Sequence, residues 1–99
     1  MNNTIKNDQW VYVVIHGTEG NEQLLGQQDE EKKESFIPVF LKKEDALMNL
    51  NLLAREQGSK HEVQAILYED LVERVAEQKF MLFVLNESGE VIEKISPKR

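Results

Sequence analysis

The chain predicts an α+β domain, a two-layer sandwich in which an antiparallel-dominated sheet of about six strands carries two helices. Three observations support this. Residues 10–16 and 80–86, "WVYVVIH" and "FMLFVLN", are dense in β-branched, aromatic and aliphatic residues, as strands are. From Lys43 onward, apolar residues recur at helical spacing. Glycine-rich and charged turn segments separate these stretches at short intervals, giving the order β-β-β-α-β-α-β-β.

The first strand is 10–16. "GTEGN" (17–21) follows as a turn whose two glycines can take positive φ. "EQLLGQQ" (22–28) predicts a weaker strand, with Gly26 marking a bulge or an edge. "DEEKKE" (29–34) reads as a solvated turn, and "SFIPVFL" (35–41) as the third strand. Pro38 has no N–H to donate, so this strand is expected at an edge, or with the proline nitrogen turned from its neighbour. Short connections between the three strands predict an antiparallel meander.

A helix is predicted over 43–57. Ala46, Leu47, Leu50, Leu53 and Ala54 form its stripe, Glu44 and Asp45 complement the dipole of its first turn, and Gly58 serves as C-cap. A strand over 60–68 comes next. The second helix, 69–78, sets Leu71, Val72, Val75 and Ala76 on one face and Glu73, Arg74, Glu77 and Gln78 toward water. Residues 80–86 form the most apolar strand. "ESG" (87–89) suits a hairpin loop with Gly89 in the left-handed conformation, and 90–95 return as the last strand. Residues 1–9 are read as a flexible N-terminal tail, 10–96 as a single domain and 97–99 as a C-terminal tail.

Ninety-nine residues suffice for one core. Net charge is −6, with twelve basic residues scattered among eighteen acidic ones, which argues against nucleic acid as a partner. The absence of cysteine excludes disulfides, thiol catalysis and cysteine-ligated metals, and suits a reducing compartment. The apolar runs are too short to span a bilayer, and the polar start of the chain lacks the order of a signal peptide. A cytoplasmic protein without membrane partners is expected.

"FIPVFLKKEDAL" resembles the strand-to-helix motif of the N-terminal domain of SseB-like proteins, where a Pro-Val-Phe strand end leads through a polar turn into a helix opening with acidic residues and Ala-Leu. "FMLFVLN" before a hairpin resembles that family's late strand ending in Asn, although Glu87 stands where the family usually has proline. The resemblance covers roughly residues 35–95. It implies an α+β fold and no catalytic residues.

The search for chemistry returns little. His16 and His61 stand at strand ends, outside metal-ligand helical spacings; with Glu19 or Glu62 they form the one histidine–carboxylate pairing to weigh against two solvated side chains. Ser35, Ser59, Ser88 and Ser96 lack a nucleophile-elbow context. The glycine turns lack the helix that completes a phosphate cradle. Eighteen carboxylates make a close acidic pair inevitable and so uninformative. No catalytic residue, metal ligand or cofactor is assigned.

Two strands are apolar on both faces. Val11, Val13 and Ile15 oppose Trp10, Tyr12 and Val14; Phe80, Leu82 and Val84 oppose Met81, Phe83 and Leu85. A half-solvated sheet shows one polar face. Either the helices divide between the faces, or an apolar face is closed by a homodimer or by another protein. With both helices on one side, the expected interface comprises Trp10, Tyr12, Met81 and Phe83 on the sheet, with Met48 and Leu52 on the first helix. The expected function is protein–protein interaction, self-association included; the alternatives are a small-ligand regulatory module near His16, Tyr12 and the glycine turns, and an enzyme of unrecognised type.

Overall fold

The structure, a computed structural model, describes residues 5–17, 23–29, 33–57, 61–76, 78 and 80–96, with the side chains of Asp29 and residues 51–57 outside the description. Among the described residues seven strands form one mixed, mostly antiparallel sheet: β1 (Trp10–His16), β2 (Gln23–Leu24), β3 (Gln27–Asp29), β4 (Glu34–Phe40), β5 (His61–Leu67), β6 (Met81–Leu85) and β7 (Val91–Ile95). Helix α1 (Lys43–Gln57) joins β4 to β5, and α2 (Tyr68–Ala76) joins β5 to β6. The expected α+β sandwich and element order are present, with one helix on each face of the sheet in place of a single helical layer. Among the described residues no helix is long and apolar enough to cross a membrane.

Across the sheet the strands run β5, β1, β4, β6, β7. All pairings are antiparallel except β4–β6, where Phe36 to Phe40 lie beside Met81 to Leu85 in parallel. β1 and β4 meet directly only at Tyr12 and Phe40. Toward the other end they part, and a short wedge enters between them. Its inward arm, β2, pairs with β1, and its outward arm, β3, pairs with β4. The weaker strand expected over 22–28 is thus two short strands, and the meander is interrupted. Two features explain the reversal at 25–26. Leu25 is buried and donates its N–H to the Val14 carbonyl at 2.8 Å. Gly26 passes so close to Phe80 that a Cβ would lie 3.2 Å from its ring.

Of the two places expected for Pro38 the edge is excluded, because β4 is interior. Pro38 lies between Phe36, the last partner of β3, and Phe40, the partner of β1. On that side the ladder is interrupted, so a missing donor is tolerated there.

The helices take opposite faces. Tyr68, Leu71 and Val75 of α2 pack with Val11, Val13, Ile37, Val39, Leu82 and Val84. Ala46 and Leu50 of α1 pack with Val14, Phe40, Phe83 and Leu85. The topology accounts for the division. The crossover through α1 runs from β4 outward to β5, and the crossover through α2 runs back from β5 to β6. Two crossovers of the same hand travelling in opposite directions fall on opposite faces, and right-handedness is strongly preferred. Each core strand therefore needs apolar residues at odd and even positions alike.

Other differences are local. Within residues 5–9, expected as part of a tail, Ile5 joins the α2-side core, and the carbonyls of Asn7 and Gln9 accept the N–H groups of Glu69 and Tyr68. This supplies partners for donors at the start of α2. On α1, Leu47 is exposed, whereas Asn49 turns inward. Gly89 has φ +81°, as its loop position requires, while the expected cap Gly58 lies outside the described residues.

Candidate functional site

The division of the helices changes the status of the expected interface. Phe83 is 2% exposed, covered on the α1 side and stacked on Phe36 with ring centroids 4.2 Å apart. Lys94 closes over it, its Nζ 5.0 Å from the ring centroid. Met81 and Tyr12 are half-buried against the same core. Met48 is 64% exposed on the outer side of α1, and Trp10 is 56% exposed at the start of β1. The side chain of Leu52 lies outside the described residues. The structure therefore does not gather the six residues into one surface. An uncovered sheet face, the premise for closing the fold with a partner, is replaced by a face covered by α1.

What remains open is an edge. β5 pairs with β1 through seven uninterrupted positions, from Trp10 opposite Leu67 to His16 opposite His61. No further strand pairs with its outer side among the described residues. Edge strands are ordinarily blunted by lysine, proline, bulges or inward-pointing charge. β5, "HEVQAIL", carries one charged residue, Glu62, and no lysine, proline or glycine. The opposite edge, β7, is built differently. A bulge interrupts its register with β6, and it carries Glu93 and Lys94.

Exposed apolar area adjoins β5 on the α1 face. Trp10 and Ala65 are exposed, and Tyr12 and Leu67 are partly so. Register places these four together, since Trp10 faces Leu67 and Tyr12 faces Ala65. On the other face an open groove between β5 and α2 is lined by Ile66, Asp70, Glu73 and Arg74.

At the far end of the β1–β5 pair, His16 and His61 stand directly opposite, with ring centroids 5.8 Å apart and planes inclined by 21°. The sequence paired these residues as one possibility; pairing of the two strands makes them neighbours. Of the proposed carboxylate partners, Glu62 points to the opposite face by strand alternation, and Glu19 lies outside the described residues. Among the described residues no group of three or more histidine, aspartate or glutamate side chains is placed to hold a metal ion.

Comparison with protein families, with curated proteins and with solved structures found no match for this chain. Sequence reasoning missed Ala65, Gln64 and the β5 edge because edge position depends on sheet order. The available signal was the absence of lysine, proline and glycine from 61–67.

Proposed function

We propose that this domain is a protein-interaction module, self-association included, that accepts an extended strand along β5. The supporting observation is the contrast between the two sheet edges, with β7 bulged and charged and β5 continuous and nearly uncharged. Strand addition draws its affinity from backbone hydrogen bonds and its selectivity from alternate side chains. Here the selective elements are the apolar corner of Trp10 and Ala65 on one face and the groove at Ile66 on the other. A reducing, cytoplasmic setting fits a chain without cysteine.

The test is sedimentation of the full chain in extract from the cells that make it, compared with Ala65→Lys. Ala65 is exposed, so lysine there blunts the edge and spares the core. The expected result is a species heavier than the 11.5 kDa chain for the native protein and a monomer for the variant. A native protein that sediments at 11.5 kDa, or a complex indifferent to Ala65→Lys, would remove β5 as the site.

A further inference from the structure

We infer that the strand added at β5 belongs to a second copy of this chain, running antiparallel about a twofold axis through Gln64. The inference rests on the reading of β5 as an interaction edge and specifies the occupant.

Gln64 is the central residue of the seven. A twofold axis there, perpendicular to the sheet, sets Gln64 opposite itself, Val63 opposite Ala65, Glu62 opposite Ile66 and His61 opposite Leu67. Such an isologous pairing uses every residue of the strand on both copies. It also preserves side-chain alternation, so residues on the α1 face meet residues on the α1 face. A register slip by one residue would break that match.

Charge selects this register among those open to a second copy. The chain carries a net −6, so two copies repel wherever their acidic surfaces meet. Along β5 there is one charge per copy, and the axis at Gln64 sets each Glu62 against aliphatic Ile66 instead of against its counterpart. Like charges directly opposite, the destabilising arrangement in a sheet, are avoided. Glu62 of the second copy then lies beside the groove lined by Asp70, Glu73 and Arg74, where Arg74 attracts it and the two carboxylates oppose it. On the axis the two Gln64 amides, each a donor and an acceptor, are complementary to one another.

The pairing also covers apolar area. On the α1 face Val63 of the second copy lies against Ala65, and His61 of the second copy extends the row of Trp10 and Leu67. Ala65, exposed in the single chain, becomes flanked on its open side.

A chain without cysteine allows a direct test. Opposed residues in an antiparallel pair have Cα atoms about 4.5–5.5 Å apart, within disulfide range. Gln64 is exposed, so Gln64→Cys leaves the core untouched. Under mild oxidation the full-length Gln64→Cys chain is expected to link into a species of twice 11.5 kDa. Glu62→Cys alone is expected to stay unlinked, since the paired register separates the two positions by four residues, about 13 Å. A mixture of Glu62→Cys with Ile66→Cys is expected to link.

A wild-type chain that is monomeric by light scattering up to millimolar concentration overturns the inference, as does a dimer in which Gln64→Cys does not link. Neither result touches the broader reading. That reading falls if the native chain sediments at 11.5 kDa in cell extract or if its complex there is indifferent to Ala65→Lys, and a β5-dependent complex lacking a second copy identifies a strand of another protein as the occupant.

Discussion

The Asn49 side chain holds the main chain at Asn86. Asn49 is 5% exposed on the inner side of α1, and its Nδ2 donates to the carbonyl of Asn86 at 3.2 Å, to that of Glu87 at 3.3 Å and to that of Asp45 at 2.9 Å. One amide thus ties the helix to the turn between β6 and β7. Asn86 organises the turn from within, its Oδ1 accepting the N–H groups of Ser88 and Glu90, each at 2.9 Å. Asn49→Leu keeps the branched shape and deletes the donor, leaving turn carbonyls without that partner. The expected loss is about 1–3 kcal/mol in urea unfolding. Asn49→Asp is expected to cost more, because a buried carboxylate faces carbonyls and cannot donate. An unchanged midpoint in either variant would show that the clamp is incidental.

Gly89 is coupled to the same clamp. Its φ is +81°, and a Cβ there would approach Asn49 Oδ1 to 2.9 Å. Gly89→Ala is expected to destabilise by at least about 1 kcal/mol through backbone conformation alone. Amide exchange should be faster at Gly89, whose N–H donates to the Asn86 carbonyl. Wild-type exchange rates with reduced stability would place the defect elsewhere.

Phe83→Ala is expected to cost about 3–5 kcal/mol by thermal or denaturant unfolding. The ring is buried and stacked on Phe36, so its removal leaves a cavity between the sheet and α1. Phe83→Asp, which would produce a folded monomer if Phe83 formed a surface contact, is expected to leave no cooperative unfolding transition. A folded Phe83→Asp variant would refute the placement of α1 over this face.

The stacked His16 and His61 rings predict a small but measurable coupling. A double-mutant cycle of His16→Ala and His61→Ala should return about 0.2–1 kcal/mol, the range of cross-strand pairs. Strict additivity would mean that the rings are neighbours without interaction.

Trp10 separates folding from association. Because it is exposed, Trp10→Ala should change monomer stability by no more than about 0.5 kcal/mol. In the β5-paired dimer His61 of the second copy lies in the same cross-strand row, beyond Leu67, so the fluorescence of Trp10, the chain's single tryptophan, should change as concentration rises. A large stability loss in Trp10→Ala at concentrations where the chain is monomeric would contradict its exposure.

The legible parts of this fold are those governed by local chemistry. Density of β-branched and aromatic residues located β1 at residues 10–16, and periodicity with an acidic first turn located α1 at residues 43–57. Glycine in a short polar loop located the turn at Gly89. Doubly apolar strands also required both sheet faces to be covered, whatever covered them. Less was legible wherever one short segment serves two neighbours. "EQLLGQQ" gave no local sign that its halves would pair with different strands, and Asn49, a polar residue within a helix, gave no sign that a turn far along the chain would satisfy it.

By itself, then, the sequence determined the elements, their order and the demand for two buried faces, because backbone preference and side-chain periodicity act over a few residues. Only the tertiary structure decided that α1 and α2 divide between the faces, that β4 is interior with Pro38 at a gap in its ladder, and that β5 is the unblunted edge. Those outcomes depend on which strands become neighbours. Strand order is set by crossover direction and by contacts between residues far apart in the chain, which no local window contains.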